Sequence, residues 1–192
     1  MRAKITIISL ASIAVIIALY AAFSPTIQHQ VVGVQDAAGA RDSFGPRVNV
    51  EVYKNGELVA KAHNIITDAG MGFLRNAVHL GTAGSDVAKF IALSTDSTAP
   101  AYTATTCPSE ITSGGLARAA GTVSTQSGPA NGDITVRVEN TFTATGSHTG
   151  VQKACLFTAS SAGTLYAMAT FSPVNLAAND QLTIRWDFTY QN

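Results

Sequence analysis

The stretch QLTIRWDFTYQ, residues 181–191, constrains the fold more than any other part of the chain. Leu182, Ile184, Trp186, Phe188 and Tyr190 occupy every second position, and Thr183, Arg185, Asp187 and Thr189 fall between them. Side chains two apart share a face only in extended backbone, so the pattern predicts a strand with one face in a core and the other in water. A lone strand leaves a row of backbone donors and acceptors unpaired, so the rest of the chain has to supply partners.

It supplies several. Val48, Val50 and Val52 alternate with Asn49, Glu51 and Tyr53. Asn55-Gly56 follows, the pair best suited to a two-residue hairpin because both positions need positive φ. A return strand is expected over 58–66. The period then changes. Thr67 or Asp68 can cap a helix, and Phe73, Leu74, Ala77, Val78 and Leu80 recur at helical spacing. That predicts one short helix near 68–79, stopped by Gly81. Strands resume at 89–95, 116–126 and 133–145, the last with Ile134, Val136, Val138 and Phe142 on one face. Segments 151–160 and 164–172 are apolar on both faces and are expected in the middle of a sheet. About eight short strands, Gly-rich turns and one helix define an all-β class, an antiparallel β-sandwich with a small helical cap over 47–192.

The N-terminus is of another kind. Residues 1–4 read MRAK, and 5–23 are an unbroken run of apolar and weakly polar residues. A basic start before an apolar stretch is the pattern of an export signal. The stretch is also near the ~20 residues that span a bilayer. Residues 1–24 are therefore expected as a signal peptide or a membrane anchor, with residues 25–46 as a tail. Either way the remaining chain is placed outside the cytoplasm, with membrane contact only through this first segment before cleavage. Cys107 and Cys155 make an even count, which in an exported chain suggests a bridge. The alternative is two unpaired thiols, with Cys155 a small buried hydrophobe.

Chemistry is thin. Charged residues are only 12% and the net charge is zero, so no basic stripe points to nucleic acid. His29, His63, His79 and His148 lack partners at zinc spacing. DAGMGFLR, 68–75, has two glycines of a dinucleotide loop, but Arg75 stands where the third belongs. Close packing at a helix start explains Gly70 and Gly72 better. Asp96, Asp133, Asp180 and Asp187 form no legible calcium loop. There is no Gly-x-Ser-x-Gly elbow and no Asn-x-Ser/Thr sequon. The chain is read as a non-enzyme with no cofactor, no metal and no catalytic residue.

The order HNIITDAG (63–70), FIALSTDSTAP (90–100) and SEITSGGLARAAGTVS (109–124) resembles small β-domains of phage and archaeal virus surface and tail proteins. It is also similar to the subunits of the archaeal surface filaments called threads, over roughly 47–190. The resemblance implies an exported β-sandwich that lacks a strand, with a neighbour's N-terminal tail filling the groove. Carried onto this chain, the donor is the tail at 26–36.

The residues make their own case. Ile27, Val31 and Val34 alternate with Gln28, Gln30 and Gln35, although Val32 breaks the period. Residues 37–45, AAGARDSFG, have the composition of a flexible tether. A tethered strand can add to an open sheet edge of another chain, and such a contact repeated head to tail builds a filament. The interface expected for that donor strand is Ile27, Val31, Val32 and Val34. Pairing within the chain and a disordered linker are the other readings of this tail. The function expected is a structural subunit of a secreted, extracellular cell-surface filament. The partners expected are identical subunits in a homopolymer, with cell surfaces or other filaments as further contacts, and no nucleic acid. A type IV-like pilin with a retained N-terminal helix, and a viral or phage-like tail or adhesion module binding through loops 96–114 and 126–132, are the alternatives.

Overall fold

The computed structural model describes residues 46–81, 87–130 and 132–190. They form two antiparallel five-stranded sheets and one short helix. In chain order the elements are β1 (Arg47–Lys54), β2 (Glu57–His63), β3 (Ile65–Ile66), α1 (Asp68–Arg75), β4 (Phe90–Ser94), β5 (Ala119–Ala120), β6 (Thr122–Ser127), β7 (Ile134–Thr143), β8 (His148–Phe157), β9 (Leu165–Leu176) and β10 (Gln181–Tyr190). The first sheet has the order β2-β1-β10-β7-β6 and the second β3-β9-β8-β4-β5.

The first sheet is built outward from the two clearest alternating strands. β1 and β10 pair with Val48 opposite Phe188, Val50 opposite Trp186 and Val52 opposite Ile184. All of these side chains are buried. The β1–β2 hairpin turns at Asn55 (φ 50°) and Gly56 (φ 85°), the paired positive values that only a few residue types accept without strain. β7 continues the layer, with Val138 opposite Trp186 and Phe142 opposite Leu182.

Eight expected strands become ten because two of them change sheets. The return strand over 58–66 breaks at Asn64: β2 pairs with β1 in the first sheet and β3 with β9 in the second. The strand over 116–126 breaks at Gly121: β5 pairs with β4 in the second sheet and β6 with β7 in the first. Gly121 N–H donates to the Lys89 carbonyl at 2.7 Å, which fixes the corner. Each crossing ties one lateral margin of the sandwich.

The core between the sheets contains Val50, Val52, Leu93, Leu156, Leu182, Ile184 and Trp186, all essentially inaccessible. β8 and β9 lie inside the second sheet, as their apolar runs predicted. A register shift between Leu156 and Phe157 leaves Tyr166 without an opposite residue, and its ring turns inward against Phe73 and Phe188. Helix α1 docks there. Thr67 caps it by accepting from Gly70 N–H at 3.0 Å, and its own hydroxyl donates to the Leu165 carbonyl at 2.5 Å. A Cβ on Gly70 would sit 2.1 Å from the Tyr166 carbonyl oxygen, so the first of the two helix glycines is a packing requirement. Gly72 has open space beside it. The helix continues through a π turn, Asn76–Leu80, and ends at Gly81 with φ 61°.

One expectation needs correction. Tyr190 reads as a core residue of the last strand, yet it is 41% exposed, and Ile134, on the shared face of β7, is 51% exposed. They do share the inner face, opposite each other at the end of β7 and β10. At that end the described residues provide no strand of the second sheet to cover them.

Candidate functional site

That uncovered end of the first sheet is the feature most able to bind something. Val123 on β6 lies opposite buried Val138 and so points inward, but is 45% exposed. Val136, half-buried, continues the same face. Across from them stand Phe73 and Leu74 of α1 and Val87. With Tyr166, Phe188 and Tyr190 they enclose an open, mostly apolar groove of about 180 Å³. Burial raises the phenol pKa of both Tyr166 and Tyr190, so the groove is uncharged at neutral pH.

β6 borders this groove and is the last strand of its sheet; among the described residues nothing pairs with its outer edge. Six residues of free edge beside an apolar trough are what strand addition requires. Main-chain groups supply hydrogen bonds and the trough takes alternate side chains. β1 also begins at this end. Arg47, the first residue of β1, lies opposite Thr189, while Tyr190, Ile134 and Ser127 end or begin the adjacent strands.

The outer face of the second sheet is a different kind of place. The segment 95–110 lies over it and is tied down at several points. Cys107 is bridged to Cys155 on β8, with Cα atoms 6.1 Å apart. Lys153, two residues earlier on the same face, pairs with Asp96. Arg118 grips Glu110 through two nitrogens at 2.9 and 2.6 Å and lies 3.6 Å over the Phe157 ring. Beneath the segment a second small cluster of Ala92, Cys155, Phe157, Leu165 and Met168 is sealed from water.

Ile27, Val31, Val32 and Val34, the expected donor residues, lie outside the described residues, as does the whole N-terminal segment. The histidines stay apart: His148 Nε2 lies 3.0 Å from the Gly114 carbonyl, His63 ends β2 and His79 sits in the π turn. The aspartates are dispersed too. Asp187 pairs with Arg137, Asp180 accepts from Asn55 and Ala177 N–H, and Asp133 accepts from Ala130 N–H. Among the described residues no three His, Cys, Asp or Glu side chains are grouped to hold a metal. Among the same residues no helix is long and apolar enough to cross a membrane. The groove was missed from sequence because its residues come from six separate segments. The one local signal is Val123, an apolar residue in an otherwise polar strand.

The described residues define an antiparallel β-sandwich whose β6 edge lies beside an apolar trough. Comparison with family models, with curated proteins and with solved structures finds no match.

Proposed function

We propose that this protein is a structural subunit of an extracellular cell-surface filament, and that it polymerises by donating its 26–36 segment to the β6 edge of a neighbouring subunit. The observation that carries the reading is the free β6 edge with the uncovered apolar groove beside it. A strand whose apolar residues are Ile27, Val31, Val32 and Val34 suits a trough lined by Val123, Leu74 and Val87. Each aliphatic side chain so buried contributes about 1.5–3 kcal/mol. Covering the edge also removes an aggregation liability. Residues 37–45 supply nine residues of tether, a reach of about 30 Å at full extension. Export through the N-terminal segment and the bridge between Cys107 and Cys155 suit an oxidising, extracellular location.

Electron microscopy and size-exclusion chromatography of the exported protein test it. Filaments, or ladders on mild denaturation, are expected. Removing 26–36 is expected to give folded monomers, and Val123→Asp, at an already exposed position, to give the same. Polymers that persist without 26–36 overturn the proposal.

A further inference from the structure

Lys153 is the only cation among the described residues that is fully sequestered, at 1% exposure, and its amine lies against the Asp96 carboxylate. We propose that Lys153 and Asp96 condense to an intramolecular amide, a side-chain cross-link that fixes the segment after β4 to β8.

The geometry is held from both sides. Lys153 Nζ contacts Asp96 Oδ2 and lies 3.2 Å from Thr98 Oγ1. The Thr98 hydroxyl in turn donates to Asp96 Oδ2 at 2.5 Å, so it touches both reacting groups. The backbone around Asp96 is pinned. Its own N–H donates to Ser94 Oγ at 2.9 Å, Gln152 Nε2 donates to the Thr95 carbonyl at 2.7 Å, and Thr170 Oγ1 donates to the Thr98 carbonyl at 3.1 Å. The stem of Lys153 leaves the same sheet face as Cys155 and Phe157, which belong to the sealed apolar cluster. Two groups fixed in contact react as if at an effective concentration of about 10⁵–10⁸ M. That is the factor that allows an amide to form between unactivated partners.

The resting state is the ion pair: the Lys153 ammonium, then the Thr98 hydroxyl, hold the Asp96 carboxyl below its usual range. Reaction goes through the uncharged form of the same pair, which desolvation favours relative to two charges. A proton passes from Nζ to the carboxylate, leaving an amine and a carboxylic acid. The Nζ lone pair adds to Cγ and forms the C–N bond. The tetrahedral centre then collapses with cleavage of one C–O bond. The Nζ proton, relayed by the Thr98 hydroxyl, leaves with that oxygen as water. Nothing is oxidised or reduced and no co-reactant is needed. The Asp96 side chain, 17% exposed, gives the water a way out. The product joins the same two segments as the Cys107–Cys155 bridge, but reductants do not break it.

Peptide mapping decides the matter on the wild-type protein. The folded protein is kept at neutral pH, then unfolded, reduced so that the disulfide no longer links these segments, treated with acetic anhydride and digested. The expected result is a branched peptide joining the Asp96 and Lys153 segments, lighter by one water than the sum of its parts, with Lys153 unacetylated. In Asp96→Ala the same treatment is expected to give a linear peptide with acetylated Lys153. Wild-type protein that yields Lys153 only as the acetylated linear peptide overturns the proposal. The readout depends on neither filament formation nor the N-terminal tail.

Discussion

The two sheets share one core but differ on their outer faces, and the difference explains most of this molecule. The outer face of the first sheet is a wet lattice of opposite charges. Arg137 pairs with Asp187 at 2.7 Å, Arg185 with Glu139 at 2.5 Å and Glu51 at 3.3 Å, and Lys61 with Glu51 at 2.8 Å. The outer face of the second sheet is dry, covered by 95–110 and locked by a disulfide. A sheet that alternates cleanly needs one apolar cover; a sheet apolar on both faces needs two. The second cover here is not a layer of helices but an irregular segment, and such a segment has no regular ladder to hold it. Cross-links take that role.

The largest effect is expected where the two sheets depend on each other. Trp186→Ala empties the centre of the shared core, where the ring is fully buried and lies roughly parallel to Phe188 at 11° between planes. A loss of about 3–5 kcal/mol in unfolding free energy is expected. Urea denaturation followed by circular dichroism reads it, and both sheets should melt together. Separate transitions would show that the sheets are not one cooperative unit.

The dry cover is the next test. Replacing Cys107 and Cys155 by Ala opens a loop of 48 residues' separation. Disulfides of this kind contribute about 2–4 kcal/mol. The expected signature is local: faster hydrogen exchange in 95–110 and around Leu165 and Met168, with β1 and β10 still protected. Uniform loss of protection across both sheets would contradict the view of this segment as a separately fastened cover.

Acid should weaken the wet face. The ammonium of Lys61 and the Tyr53 hydroxyl hold the Glu51 pKa down from its ordinary 4.5 to about 2. Below pH 4.5 the unfolded chain therefore takes up a proton at this position that the folded one refuses. The stability from Glu51 is complete above that pH and is lost as pH falls toward 2. Asp180, held down to about 2 by Asn55, the Ala177 N–H and Lys54, acts in the same direction. Denaturation midpoints measured from pH 6 to pH 2 should fall across that window, and fall less in Glu51→Gln. An unchanged slope in the variant would remove Glu51 from the account.

The same contrast sets what the sequence could tell. Alternation in β1, β7 and β10 identified the first sheet and most of its core, because one wet face writes period two into the residues. Continuous apolar runs identified β8 and β9 as interior. The sheet changes at Asn64 and Gly121 were not legible, since a strand that crosses between layers keeps its local extended pattern on both sides. Tyr190 reads as core because period two reports which face a residue is on, not whether anything lies over that face. Segment 95–110 has no period at all. Its place is set by contacts distant in sequence, such as Lys153 with Asp96 and Cys107 with Cys155.

The smallest effect is expected from a single rung of the charged lattice. Arg137 and Asp187 form a two-bond fork at 2.7 Å, yet their side chains are 27% and 18% exposed. Water competes for both groups, and ordering two long side chains costs entropy. A double-mutant cycle with Arg137→Ala and Asp187→Ala is therefore expected to give a coupling of about 0.2–1 kcal/mol, falling as salt is added. The cycle is needed because Arg137 also feels Glu139 and Glu51, so each single variant disturbs more than this pair. A coupling well above that range, or one insensitive to salt, would mean that the first sheet's outer face is effectively desolvated. The distinction between a wet and a dry face would then fail at its most exposed point.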